Sequence, residues 1–201
     1  LLQALPDETI ALVRIPWNDP AAAMKALDAG ADGVICPMVN NATEVHSFVE
    51  ACQYPPNGVR SFGPIRRQFL NKRGDYFAQA RENLLTAVMI ETSQALEDID
   101  AIAATEGLDL LFVGPFDLSV SLQRPERANF KDPVLLDALQ KVLEAAKKHG
   151  KYTAIFTVQE ADAKFAAELG FNMVSFSSDI GLYAQTIKSV VHQLQDIISA
   201  K

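Results

Sequence analysis

Leu108-Asp109-Leu110-Leu111-Phe112-Val113-Gly114-Pro115-Phe116-Asp117-Leu118-Ser119 is the stretch on which the fold turns. It opens as a short apolar run, the pattern of a strand covered on both faces. It breaks at Gly114-Pro115, a pair that cannot continue a central strand. Asp117 follows two residues later, so a carboxylate stands where a strand has just ended. Leu85-Thr86-Ala87-Val88-Met89-Ile90 has the same form and runs into Glu91 and Thr92. Two strands ending in acids at corresponding positions suggest a shared site.

Outward from these strands the chain repeats one unit. Residues 1–9 read as the tail of a helix and a turn, followed by a strand over 10–15 that Pro16 stops. Asp19 then caps a helix over 21–29, with Pro20 in its first turn and Gly30 as its left-handed stop. A strand over 33–36 ends at Pro37, and a helix over 43–52 carries Val45, Phe48 and Val49 on one face. Residues 53–74 lack periodicity, as a functional loop would, and a short helix over 76–83 precedes the Leu85 strand.

The spacing predicts a helix over 93–105 ending at Gly107, then the Leu108 strand, then an irregular connection over 121–131. A helix over 133–149 follows, with Leu135, Leu139, Val142, Leu143 and Ala146 on one face. Lys147, Lys148 and His149 suit its negative end. A strand over 152–156, a helix over 158–169, a strand over 173–176 and a helix over 180–199 complete the chain.

Apolar strands alternating with amphipathic helices mean a parallel sheet with helices outside it. A doubly wound open sheet and a closed barrel both satisfy that pattern. A Gly-x-Gly-x-x-Gly loop after the first strand would favour the first, and the chain has none, nor a Gly-Lys-Ser/Thr phosphate loop. We therefore expect an α/β fold of the (β/α)8 TIM barrel type. Such a barrel takes about 250 residues, whereas this chain has 201. The expectation is a single barrel domain over 1–201, N-terminally incomplete, with the first two β/α units absent.

Composition narrows the function. A net charge of −7 argues against a nucleic-acid or anionic-membrane surface as the main partner. The dense basic cluster (Arg60, Arg66, Arg67, Lys72, Arg73) reads as a solvated loop or subunit contact before an anion site. No apolar run reaches the roughly 18 residues of a membrane helix, and the first residues lack the flanks of a signal peptide. Cys36 and Cys52 have no metal spacing. A reduced, soluble, cytoplasmic protein is expected.

In a barrel, side chains at the C-terminal strand ends converge on one mouth. Arg14, Glu91 and Asp117 hold such positions. Two carboxylates without histidine or cysteine make a hard oxygen site suited to Mg²⁺ or Mn²⁺. Such an ion keeps open positions that the carboxylate and ketone oxygens of a 2-oxo acid can fill, and as a Lewis acid it would stabilise an enolate. Arg14 would add positive charge there, and the backbone N–H groups of Phe116 and Asp117, after Gly114-Pro115, could hold the substrate carboxylate. The same residues fit plainer roles: Glu91 at a positive helix end, Asp117 as a cap, Arg14 as an ion-pair partner closing the sheet. His46, His149 and His192 fall on helices and do not read as bases, and no lysine lies on an apolar strand where a Schiff base would form.

Several motifs resemble the HpcH/HpaI aldolase family, in order and over nearly the whole chain. They are Val13-Arg14-Ile15-Pro16-Trp17-Asn18-Asp19, Ala29-Gly30-Ala31-Asp32-Gly33, Pro37-Met38-Val39, Tyr54-Pro55-Pro56-Asn57-Gly58-Val59-Arg60, Ile90-Glu91-Thr92 and Gly114-Pro115-Phe116-Asp117-Leu118-Ser119. The resemblance implies a phosphoenolpyruvate/pyruvate-type barrel assembled as a homo-oligomer, usually a hexamer. It implies a class II aldolase, dependent on Mg²⁺, Mn²⁺ or Co²⁺, that cleaves or forms 4-hydroxy-2-oxo acids from pyruvate or oxaloacetate and an aldehyde. Glu91 and Asp117 match the metal ligands, Arg14 the pyruvate-contacting arginine, and Gly114 to Asp117 the carboxylate-binding turn.

The chain also departs from the family pattern. Met89 stands where a glutamine is common and Phe116 where a small residue is common. The family's histidine base and its acidic partner follow a second strand that this chain does not contain. A citrate-lyase-like or malyl-CoA-type lyase, with coenzyme A phosphates on the 60–73 loop, and a non-catalytic paralogue are the alternatives.

Overall fold

The structure, a computed structural model, describes residues 2–6, 8–63, 77, 80 and 82–199, without the side chains of Gln3 and Asp196. Its sheet has six parallel strands in the order β1-β2-β3-β4-β5-β6. They are β1 Leu12–Arg14, β2 Gly33–Cys36, β3 Leu85–Ile90, β4 Leu110–Val113, β5 Tyr152–Thr157 and β6 Met173–Phe176. Between and after them come α1 Pro20–Asp28, α2 Ala42–Cys52, α3 Ser93–Glu97, α4 Ile99–Ala104, α5 Pro115–Ser121, α6 Pro133–His149, α7 Glu160–Leu169 and α8 Asp179–Ser199.

Strand order separates the two architectures that the sequence leaves open. Each strand pairs with the one before it, so the order never reverses as it does in a doubly wound sheet. Right-handed crossovers then place the helices on one face, and the two cores follow from this. Val34, Cys36, Val88, Ile90, Leu111, Val113 and Ile155 point outward into a large core with Leu27, Phe48, Ile102 and Leu139 of the helices. Ile35, Ala87, Met89, Leu110, Phe112 and Ala154 point the other way and form a second, smaller core. This is the singly wound curvature of a barrel. Among the described residues β1 and β6 do not pair with each other.

One local device repeats along the sheet. Gly30, Gly107 and Gly170 all have positive φ, which glycine adopts without strain, and each is followed by a buried apolar residue and then Asp32, Asp109 or Asn172. Asp32 accepts a hydrogen bond from the Ala11 N–H, Asp109 from Thr86 and Asn172 from Thr153, at 2.8–2.9 Å. In each case the backbone N–H of the same Asp or Asn donates to the carbonyl of the partner it clamps. The start of each neighbouring strand is thus held from both sides.

Several expected elements differ in detail. The helix expected over 93–105 is two, α3 and α4, because Asp98 leaves the helical path and accepts from the Ala42 N–H at the start of α2. The break at Gly114-Pro115 opens directly into α5, with Pro115 in the first turn, where its missing N–H costs nothing. The strand expected over 10–15 is shorter, as is the one from Leu108. The tail of a helix expected over 1–9 is one 3-10 turn, Leu2–Ala4. Of the short helix expected over 76–83 only residues 77, 80, 82 and 83 are described, the last two in a turn, while the second half of the 53–74 loop and Arg66, Arg67, Lys72 and Arg73 lie outside the described residues.

Candidate active site

Strand pleating decides which side chains meet. On β3, Ala87 and Met89 face the inner core, so Glu91, two residues on, follows the same parity. On β4, Leu110 and Phe112 do the same, which puts Gly114 in line with Glu91, since Met89 pairs with Phe112 and Ile90 with Val113. Leu12 packs on this inner side of β1, and Arg14 shares its parity. Arg14, Glu91, Gly114, Pro115, Phe116 and Asp117 all line one cleft of about 670 Å³ at the C-terminal strand ends.

Glu91 is 2% exposed, a buried acid in a largely apolar setting. Its Oε2 accepts from the Met38 N–H at 2.9 Å. Met38 has φ 55, a left-handed conformation uncommon for a non-glycine residue, in the turn after β2. That turn is braced in sequence: Asn40 Nδ2 donates to the Met38 carbonyl, and the Thr92 hydroxyl donates to Asn40 Oδ1 at 2.7 Å. Thr92 is also the N-cap of α3. The helix-start role open to Glu91 therefore belongs to its neighbour, and Glu91 is tied instead to a turn 53 residues away.

Gly114 leaves room for the acid. A Cβ there would lie 2.7 Å from Glu91 Oε1, so this position must be glycine for the carboxylate to sit where it does. Burial pushes the Glu91 carboxyl above its ordinary range, the Met38 N–H pulls it back, Asp117 raises it and Arg14 lowers it. Both charged partners therefore act on Glu91 through space.

Asp117 lies in the first turn of α5, is exposed, and takes no hydrogen bond from the described residues. It does not cap the helix. Arg14 is exposed and donates from Nε to the Met89 sulfur at 3.3 Å, rather than pairing with either acid. Met89 thus supports Arg14 through a thioether, which accepts more weakly than an amide oxygen would.

Other candidates lie elsewhere. No histidine lines the cleft among the described residues: His46 neighbours Glu50 on α2, His149 contacts Asp100, and His192 is exposed on α8. Burial holds the thiols of Cys36 and Cys52 up at about 12, so both are inert core residues. Lys151 is spent on the carbonyls of Thr105 and Leu108. Arg60 proves to be neither a solvated nor an anion-facing residue. It is 3% exposed, pairs with Asp28 at 2.8 Å and lies over the Tyr54 ring. Its segment closes α2, since Val59 and Arg60 donate to the carbonyls of Glu50 and Gln53.

Sequence reasoning missed the Met38 and Asn40 turn. Its contribution is a backbone N–H, and a side-chain search cannot register that. No described helix is long and apolar enough to cross a membrane.

Comparison with known proteins bears on the family and the fold. The family model for HpcH/HpaI aldolase/citrate lyase matches residues 1–186. The chain is 37% identical over 179 residues to a hydroxypyruvate/pyruvate aldolase of Rhizorhabdus wittichii, covering 89% of this chain and 71% of that one. It is 36% identical over 186 residues to a 5-keto-4-deoxy-D-glucarate aldolase of Shigella boydii, covering 92% and 70%. A crystal structure of an HpcH/HpaI aldolase/citrate lyase family protein from Burkholderia cenocepacia superimposes with a TM-score of 0.84 at 28% identity, covering 92% of this chain and 73% of that one.

Proposed function

The chain belongs to the HpcH/HpaI aldolase/citrate lyase family, and we propose that it is a divalent-metal-dependent carbon–carbon lyase. In this reading it is a class II aldolase that cleaves or forms 4-hydroxy-2-oxo acids through a pyruvate enolate and also decarboxylates oxaloacetate. The observation that carries this is the convergence of Glu91, Asp117 and Arg14 on one cleft, with Gly114 kept free of a side chain.

The residues fit Mg²⁺ or a similar hard cation. Glu91 Oε1 and the Asp117 carboxylate take no hydrogen bonds from the described residues, so both are available as ligands. A cation beside Glu91 would also offset the burial that disfavours its charge. Held by Glu91 and Asp117, such an ion would supply Lewis acidity toward the keto oxygen of a bound 2-oxo acid.

The chain's own groups account for the rest of the enolate stabilisation. The Arg14 guanidinium adds positive charge near that oxygen, steadied by Met89. The N–H groups of Phe116 and Asp117 in the first turn of α5 hold the substrate carboxylate. Met38, Asn40 and Thr92 keep Glu91 oriented. Oxaloacetate decarboxylation asks least of this set: carbon dioxide leaves with no base, the electron pair passes to the enolate, and water returns the proton.

The test is pyruvate release from oxaloacetate and from a 4-hydroxy-2-oxo acid, with Mg²⁺ or Mn²⁺, with EDTA, and against the metal-only rate. We expect release above the metal-only rate that EDTA abolishes. Release unchanged by EDTA refutes the metal role, and no release from either substrate supports a non-catalytic paralogue.

A further inference from the structure

We propose that the aldehyde partner of this aldolase is uncharged and aromatic, and that Phe116 and Phe156 form its binding wall. This rests on the aldolase reading above, and concerns the half of the cleft that the pyruvate-binding groups leave unused. Phe116 follows Pro115 directly, so its ring stands beside the turn assigned to the pyruvate carboxylate. It is 39% exposed, and its ring packs against Phe156 with centroids 6.2 Å apart and planes tilted by 55°. Both rings line the cleft, and Phe156 reaches it from the end of β5.

A tilted pair of half-exposed rings costs apolar hydration unless something covers it, and a third ring can pack on it edge to face. Met173 of β6, which packs on the same inner side as Phe156, continues this wall.

The polar inventory points the same way. Arg14 is the one cation among the described residues lining the cleft, and it is committed to Met89 and the enolate side. An aldehyde carrying its own carboxylate would meet Glu91 and Asp117, and the described lining offers no second cation to offset them. A polyhydroxylated aldehyde would need several donors and acceptors, and among the described residues of this wall only Ser175 offers a side-chain hydroxyl. In the forward reaction the pyruvate C3 carbanion forms a bond to the aldehyde carbon, and the aldehyde oxygen takes up the proton that C3 released. The product is a 4-aryl-4-hydroxy-2-oxobutanoate.

The experiment measures binding, so it does not depend on turnover. With Mg²⁺ present, dissociation constants of 4-hydroxy-2-oxo-4-phenylbutanoate and 4-hydroxy-2-oxopentanoate are compared by calorimetry for the full chain, Phe116→Ala and Phe156→Ala. We expect the phenyl compound to bind about tenfold tighter, as aromatic packing of this kind supports, and each substitution to remove most of that ratio. Thermal unfolding of both variants checks that they are folded. A ratio near one in the unsubstituted chain overturns the assignment, as does a ratio that survives both substitutions in folded variants. Exchange of the pyruvate C3 protons in D₂O, followed by NMR without any aldehyde, reports enolisation separately. Lost exchange with an intact phenyl preference counts against the enolate reading and leaves the aromatic wall standing.

Discussion

One methyl group added at Gly114 probes the candidate site directly. The φ of Gly114 is −97°, which alanine adopts freely, so Gly114→Ala introduces no backbone strain. The whole effect is steric. The new Cβ would lie 2.7 Å from Glu91 Oε1, 2.9 Å from Glu91 Cγ and 3.1 Å from Met89 Cε. Glu91 cannot simply withdraw, because it is 2% exposed and its other oxygen is held by the Met38 N–H at 2.9 Å. If the carboxylate swings away, a buried charge-assisted hydrogen bond is lost, at about 1.5–3 kcal/mol. If the strand ends part instead, the Gly114 to Ile90 backbone hydrogen bond stretches, and overpacking of this kind costs about 1–3 kcal/mol. Across the two routes the predicted stability loss is about 1–3 kcal/mol by urea unfolding in EDTA. Misplacing a ligand predicts an affinity for Mg²⁺ lower by about 10- to 100-fold in a calorimetric titration. A variant within about 0.5 kcal/mol of the parent, with an unchanged titration, would show that Glu91 does not lie against this glycine.

Asp117→Ala removes an exposed carboxylate that bonds to nothing described. It should abolish Mg²⁺ binding while shifting stability by less than about 0.5 kcal/mol, and an unchanged titration would refute the ligand assignment. The raised pKa of Glu91 gives a pH signature in the metal-free protein. Because the folded state holds this proton more tightly, that contribution to stability is fully present below the ordinary glutamate value of 4.5 and is lost as pH rises through the raised value. Mg²⁺ competes with the same proton, so its binding should tighten across that window as pH rises, and Glu91→Gln should lose both trends. Asp109→Ala strips the clamp from the Thr86 N–H, which is buried, and should cost about 1–3 kcal/mol in urea unfolding without altering Mg²⁺ affinity.

Periodicity and punctuation carried the fold a long way. The apolar runs at Val34, Val88 and Leu111, and the stops at Pro37, Gly114-Pro115 and Gly150, are local signals, and local signals survive without coordinates. The same holds for Glu91 and Asp117, since an acid immediately after an apolar strand is visible in the chain itself. Where a signal depends on a distant partner, reading falls short. Asp98 looks like one more helical residue until the N-terminus of α2 appears beside it. Arg60 looks like part of a basic surface until Asp28 and Tyr54 enclose it. The Gly-apolar-Asp/Asn repeat at Gly30, Gly107 and Gly170 was present in the letters, but its purpose is an inter-strand hydrogen bond.

By itself, then, the sequence determined the alternation of strands and helices, the acids at the strand ends, and, through its motifs, the family. It did so because strand burial, helix capping and proline stops act over a few residues. The tertiary structure decided that the sheet is singly wound, since strand order is a relation among segments. It alone decided that Glu91 is buried against Gly114, held by a left-handed Met38, and faced by Asp117 and Arg14 across one cleft. Those relations span from 23 to 103 residues of chain, and only packing brings such groups to hydrogen-bond and Coulomb range.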